Sequence, residues 1–213
     1  MNQPKIESIT PDMNIIRQNV EIELRNDNLP ILKTKRLCIR EIRAEDVTDE
    51  YVDWLNNPNI NKYLEVRFVT QTKKSVIEYV ESKLKQGDTS MHFGVYDQAG
   101  KRLVGTVSLG TIDHHHKAAD ISFVIGHPKT QGLGYASEAV HAVTHFSLTM
   151  GGIVKLFAGF YDGHIGSARV LAKNGYTVEG RIKQKYINHT GYRVDHLIVG
   201  ILRDEYQQLR KHV

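Results

Sequence analysis

The sequence predicts an α+β domain: a mixed, mostly antiparallel sheet covered by helices. Two observations carry this. Alternating, strand-like runs separated by short polar or glycine turns cluster in the middle and at the end of the chain, as in antiparallel neighbours. Between and before them lie segments whose apolar residues recur at helical spacing. A third observation sets the scale: 213 residues, 40% of them hydrophobic, suffice for one well-filled core but not for two large ones.

Residues 1–33 carry mixed charge and no sustained period. They read as an N-terminal arm, loosely held or forming a short docking helix, ahead of a single domain over 34–213. Arg36 to Ile42 alternates as a strand. A helical segment beginning at Glu45-Asp46 places Val47, Tyr51, Trp54 and Leu55 on one stripe and stops near Asn57-Pro58. Thr72 to Lys85 is a second amphipathic segment. His92–Tyr96, Arg102–Leu109 and Ala119–Ile125 are strand-like, with turns at Ala99-Gly100 and Asp113–Lys117. Leu133 to Met150 has a helical apolar face ended by Gly151-Gly152. A short strand over Ile153–Gly159, a helix over Gly166–Asn174 and two strands over Tyr176–Ile187 and Tyr192–Leu202 complete the pattern.

Composition narrows the function. The formal charge of +4 is small and spread along the chain, which argues against nucleic-acid binding while favouring a polyanionic cofactor. Cys38 is the single cysteine, so no intramolecular disulfide forms; within Leu37-Cys38-Ile39 it reads as an inert strand thiol. No window reaches the ~18 apolar residues of a membrane span, so no membrane partner and a cytoplasmic location are expected.

The chemistry concentrates in Gly126-His127-Pro128-Lys129-Thr130-Gln131-Gly132-Leu133-Gly134-Tyr135-Ala136, which links a strand to a helix. Glycines two apart let backbone N–H groups converge on one concavity, and the helix start adds donors and a favourable dipole, which together suit a pyrophosphate. A glycine-rich turn with no ligand is the plain alternative. No Gly-Lys-Ser or Gly-Lys-Thr follows, which excludes a Walker loop, and the three-glycine dinucleotide spacing is absent.

Gln131-x-x-Gly134-x-Ala136 resembles the acyl-CoA signature of the GCN5-related N-acetyltransferase (GNAT) superfamily. Ser167-Ala168-Arg169-Val170-Leu171-Ala172-Lys173-Asn174-Gly175-Tyr176 is similar to that family's next segment. Leu37-Cys38-Ile39-Arg40, Trp54-Leu55-Asn56-Asn57-Pro58, Glu179-Gly180-Arg181 and Asp195-His196 resemble the branch that acetylates ribosomal-protein N-termini. The likeness spans about residues 33–203. It implies a sheet splayed at its middle with helices on both faces, and acetyl-CoA as acyl donor with no metal. It also implies pantetheine lying along Phe123, Val124 and Ile125, with Gln131, Gly132, Leu133, Gly134, Tyr135 and Ala136 around the pyrophosphate.

The resemblance departs where relatives carry Asn and Tyr. His164 stands at the Asn position, as a further cofactor contact, and Leu171 at the Tyr position, which leaves the acid for the departing thiolate unassigned. Ser167 is a candidate for that role and for cofactor contact, or is a helix cap. The candidate bases are Glu65 and Glu138, the latter also readable as a cap near a helix N-terminus. Glu65 and Arg67 lie where the family places its acceptor.

Asn57-Pro58-Asn59-Ile60-Asn61-Lys62-Tyr63-Leu64-Glu65-Val66-Arg67-Phe68 resembles transferases acting on amino sugars of surface polysaccharides, often nucleotide-linked; Arg67 would then pair with a diphosphate, or would only balance a nearby acid. A peptide N-terminus is the alternative acceptor, a non-catalytic acyl-CoA-binding module the alternative class. Polyamines are disfavoured because the sequence shows no acidic cluster. His114-His115-His116 would alternate faces in a strand and so could not all converge on one ion; in a turn they are solvated or line the acceptor site. Strand edges and the arm would suit a homodimer.

Overall fold

A computed structural model describes residues 6–27, 29–97 and 102–211, excluding the side chain of Glu7. The expected turn at Ala99-Gly100 lies outside these residues. Nine strands form one sheet: β1 (Glu21–Leu24), β2 (Pro30–Lys33), β3 (Leu37–Glu41), β4 (Met91–Asp97), β5 (Leu103–Asp113), β6 (Ala118–Ile125), β7 (Lys155–Tyr161), β8 (Thr177–Ile187) and β9 (Arg193–Leu202). Their spatial order is β1-β2-β3-β4-β5-β6-β7-β9-β8. Every neighbouring pair is antiparallel except β6 and β7, which run parallel.

Among the described residues seven helices surround the sheet: α1 (Met13–Ile16), α2 (Asp49–Asn56), α3 (Pro58–Asn61), α4 (Lys73–Lys85), α5 (Tyr135–Thr149), α6 (Ile165–Lys173) and α7 (Arg203–Lys211). Strand alternation divides the burial between two cores. Leu37 and Ile39 of β3 face a core shared with Val140, Val143, Leu171 and Tyr206 from α5, α6 and α7. Cys38 and Ile42 face the opposite side, where Tyr51 and Trp54 of α2 pack with Val76 and Val80 of α4. Among the described residues no helix is long and apolar enough to cross a membrane.

Local chemistry sets the element ends. The helix expected from Glu45 begins at Asp49, because Thr48 caps it by accepting from the Tyr51 N–H; Ala44–Asp46 is a separate 3₁₀ turn. Asn57 ends α2 and caps α3, whose first residue is Pro58. Thr72 and Ser75 form a reciprocal capping pair at the start of α4. Helix α5 starts two residues later than expected, at Tyr135, since Gly134 adopts φ +81°.

The two ends of the chain correct the sequence reading. Residues expected in an arm instead provide α1, β1 and β2, and Ile16 and Leu32 are fully buried. The Asp12 N–H donates to the Lys173 carbonyl, and Arg210 Nη1 donates to the Ile16 carbonyl at 2.9 Å. Helix α7 was not expected at all. It is polar except for a stripe headed by Tyr206, whose hydroxyl meets His145 Nδ1 at 3.0 Å.

Candidate active site

The parallel pair of strands creates the site. β6 and β7 pair only over Ala118–Asp120 against Lys155–Phe157. Beyond that the two strands part, and a cavity of about 400 Å³ opens between them. Ile121 to Val124 form one wall and Ala158 to Tyr161 the other, and Tyr63 to Val66 close one side. The parted edge of β6 has no strand beside it, so its backbone groups can serve a ligand as sheet partners.

The candidate cofactor residues fall into two groups. Phe123 and Val124 line the cavity, as do His164 and Ser167; Ile125 lies at the end of the same strand and outside the lining. Gln131, Gly132, Leu133, Gly134, Tyr135 and Ala136 form the turn into α5. Gly132 has φ +75° and Gly134 +81°, a region where side chains other than glycine are strained. A β-carbon at Gly132 would meet nothing within 4 Å, and one at Gly134 would meet only Arg36 Nη2 at 3.5 Å. The first amide to bond within the helix region is Glu138 N, to the Gly134 carbonyl. The N–H groups of Tyr135, Ala136 and Ser137 therefore have no helical acceptor. Open space above free amides at a helix start fits a diphosphate, and the parted strand edge fits an amide-bearing arm. These residues suit acetyl-CoA.

Glu65 lies in the cavity wall. Tyr161 donates its hydroxyl proton to Glu65 Oε1 and accepts from Arg67 Nη1 at 2.9 Å. Burial and then the Glu65 carboxylate raise the Tyr161 pKa above its ordinary value, so the phenol stays protonated. Arg67 is committed elsewhere too: Nη1 donates to the Leu64 carbonyl and Nη2 to that of Ile187. Its donors hold the Glu65–Phe68 turn against β7 and β8, rather than standing free for a bidentate diphosphate.

Glu138 is not brought to this cavity. Its carboxylate, 2% exposed, accepts from Thr34 Oγ1 at 2.7 Å, from the Arg36 N–H at 2.9 Å and from Arg36 Nε at 2.6 Å. A buried carboxylate saturated by three donors on the far side of the loop is a clamp between α5 and the β2–β3 turn, not a base facing the cavity.

His164 caps α6 by accepting from the Ser167 N–H through Nδ1, and its ring stacks on Tyr63 at 4.2 Å. Burial, with the Lys62 charge second, pushes its pKa down to about 4, so the imidazole is neutral near pH 7. Leu171, at the family's Tyr position, is a buried lining residue. Phenols do reach the cavity from elsewhere, as Tyr161 and Tyr186, stacked at 4.2 Å.

Sequence reading missed the floor of the cavity. His92, Ser108 and Ser122 stand in register across β4, β5 and β6, and all three line the cavity. His92 Nδ1 meets Ser108 Oγ at 2.7 Å, while buried Nε2 has no partner among the described residues. The signal was present in the alternation of 92, 106, 108 and 122, but which face would open into a cavity depends on the parting of β6 from β7.

His114, His115 and His116 lie in the exposed turn between β5 and β6. His114 Nε2 meets the Asp88 carbonyl at 3.0 Å. His114 and His115 border a second, more open depression with Asp113 and Asp120, which shares Tyr79, Ser108 and Ser122 with the main cavity.

The buried histidines make acid a specific stress. Burial pushes the His92 and His164 pKa values down to about 4, against an unfolded value near 6.5. Between those values the unfolded chain binds more protons, so stability is full above about pH 6.5 and falls as pH drops toward 4. For His92 alone the loss at pH 4.5 is roughly 2 kcal/mol. Urea midpoints measured from pH 7 to 4.5 will fall steeply, and His92→Asn will make that slope shallower by one share, since burial lowers His141, His145 and His164 to about 4 as well.

A sheet that parts at one parallel pair, with a glycine cradle opening onto a helix beside the gap, defines the acyl-CoA-dependent acetyltransferase class. The family model described as an acetyltransferase (GNAT) domain matches residues 36–177, and the chain belongs to this family. It is 26% identical over 165 residues to the uncharacterized N-acetyltransferase YoaA of Bacillus subtilis (strain 168), covering 76% of this chain and 92% of the relative. The spermidine N-acetyltransferase from Vibrio cholerae, solved with CoA and spermine, superposes with a TM-score of 0.71 at 21% identity, covering 80% of this chain and 98% of the other. RimL, a ribosomal L7/L12 α-N-protein acetyltransferase solved with coenzyme A, gives 0.71 at 18%, covering 87% and 99%. The expected class and fold are borne out: the protein is an acetyl-CoA-dependent N-acetyltransferase.

Proposed function

We propose that the protein acetylates the primary amine of a small hydroxylated acceptor, an amino sugar being the favoured case, with Glu65 as the base. The observation that supports this reading is the polar cavity floor. The hydroxyls of Ser108 and Ser122 on one strand face, with His92 holding Ser108 from behind, offer hydrogen bonds that a bare alkyl amine would leave unmet. Arg67 spends Nη1 and one bond of Nη2 on protein acceptors, and a nucleotide-linked form is not part of this proposal.

Acetyl-CoA, when bound, supplies an acyl group activated as a thioester. The chain's residues do the rest. Glu65 Oε takes the proton that an ammonium must lose before it can attack, directly or through one water. Tyr161 and Arg67 hold that carboxylate's wall in place. The backbone of Phe123–Ile125 orients the donor, and the Ser167 hydroxyl holds a proton at the start of α6. His164, neutral and stacked on Tyr63, gives the donor arm a flat, uncharged surface.

A second acceptor reading rests on one observation. The depression bordered by Asp113 and Asp120 joins the cavity, which suits an extended polycation such as the spermine bound by the Vibrio cholerae neighbour. Free-thiol release from acetyl-CoA separates the readings, with amino sugars, spermidine and short peptides as acceptors. Turnover confined to amino sugars supports the favoured proposal. Turnover confined to spermidine or to peptides overturns it in favour of that acceptor. Acetyl-CoA binding with no thiol release would make the chain a non-catalytic module. With any acceptor that turns over, Glu65→Gln should lower kcat/KM about 10²- to 10⁴-fold at pH 7. Tyr161→Phe should cost about tenfold, because the carboxylate survives and loses only one positioning bond.

A further inference from the structure

Arg36 precedes β3 and belongs to no element of the cavity, yet it is fixed beside the glycine loop. Its backbone N–H and its Nε both donate to the buried Glu138 carboxylate. Nη1 donates to the Leu133 carbonyl at 2.8 Å, inside the loop itself. The guanidinium lies over the Tyr135 ring, 4.5 Å from its centroid. These contacts hold the guanidinium plane from three directions and use Nε and Nη1. Nη2 is left over: it has no protein acceptor among the described residues and stands 3.5 Å from where a Gly134 β-carbon would be. The side chain is 38% exposed, so this free edge is open to solvent.

A flexible surface arginine loses considerable rotamer freedom when it captures an anion. Arg36 has already lost it, and its remaining donor stands at the space that Gly134 leaves clear. We propose that Arg36 is a phosphate-binding residue of this enzyme, presenting a preorganised cation to a phosphate of the acyl-CoA donor. Glu138 is the positioning residue that aims it. The proposal rests on the loop's assignment to the cofactor. It adds to that assignment a side-chain charge, where sequence and loop geometry supplied only backbone donors. Charge-assisted bonds to phosphate are the strong ones, and a preformed donor delivers most of that strength as affinity.

The test is direct binding of acetyl-CoA, followed calorimetrically, to wild type, Arg36→Gln, Arg36→Lys and Thr34→Val, with thermal unfolding in parallel. Thr34→Val removes another donor to Glu138 while keeping the guanidinium, and so reports structural damage alone. Arg36→Gln should raise the acetyl-CoA Kd about tenfold or more, and flatten its salt dependence. Thr34→Val should leave Kd within about twofold despite a lower Tm, and Arg36→Lys should recover part of the affinity. Dephospho-CoA identifies the phosphate. If the Arg36→Gln effect persists with it, the contact is to the diphosphate; if the effect disappears, the contact is to the 3′-phosphate. An acetyl-CoA Kd unchanged by Arg36→Gln, or raised equally by Thr34→Val, overturns the proposal while leaving the cofactor site standing. Failure of the wild type to bind acetyl-CoA removes the site itself, and the proposal with it.

Discussion

Gly134→Val will raise the Kd for acetyl-CoA by about 100-fold while the protein remains folded. Two effects combine. At φ +81° a β-branched residue is strained by about 1–2 kcal/mol, which pulls the turn away from the geometry that aligns the amides of Tyr135, Ala136 and Ser137. The side chain would also occupy the space through which a phosphate oxygen approaches the backbone. No protein atom but Arg36 Nη2 lies within 4 Å of the new β-carbon, so the fold has little reason to fail. Gly152→Val supplies the control. That glycine has φ +75° and equally open surroundings at the far end of α5, so it carries similar strain without a ligand to exclude. Both variants should lose roughly 3–6 °C in Tm, and only Gly134→Val should lose acetyl-CoA in a binding titration. Equal affinity in the two variants would mean that the loop is only a turn.

Glu138→Ala will destabilise the protein by about 3 kcal/mol, lowering Tm by roughly 6–12 °C. The carboxylate is buried and satisfies Thr34 Oγ1 and two donors of Arg36, all of which would be left without it. Arg36 is partly exposed and can turn to water, which keeps the cost at the lower end for a broken buried pair. Glu138→Gln should cost about 2 kcal/mol, since an amide NH₂ would face Arg36 Nε as donor against donor. Denaturant titration of both variants checks this. A Gln variant of unchanged stability and collapsed turnover would return Glu138 to the catalytic role that its place in the structure argues against.

The comparison with sequence shows which kinds of information are local. Apolar spacing in α2, α4 and α5 and alternation in β4 to β9 are properties of short segments, and their elements appear within a few residues of expectation. The loop at Gln131–Ala136 was legible for the same reason: its glycines and the helix start lie within six residues. Three things were not local. Helix α7 is stabilised by Tyr206 docking against His145, 61 residues away, and its apolar stripe is thin within an otherwise polar sequence. The strands of the expected arm are recognised only by pairing, β1 with β2 and β2 with β3. Glu138 sits at a helix start in either reading, and only Thr34 and Arg36, more than a hundred residues earlier, identify it as a clamp. Likewise Glu65 was a candidate by its position in the chain, whereas Tyr161, which bonds to it, was taken to lie beyond the end of a strand that the structure extends to that residue.

Strands β6 and β7 touch through only three residue pairs, and this joint is the seam of the whole sheet. On one side lie six strands, on the other β7, β9 and β8, each block internally zipped by long antiparallel ladders. The sheet is thus two blocks meeting edge to edge along a short weld over one shared core, with the cavity as the unwelded remainder. In the donor placement proposed above, a molecule laid into that gap bridges the two blocks like a missing rung, which makes the co-substrate a temporary part of the scaffold. On that proposal, departure of the spent carrier would loosen the same seam that the next molecule must close, tying product release to the rigidity of the sheet.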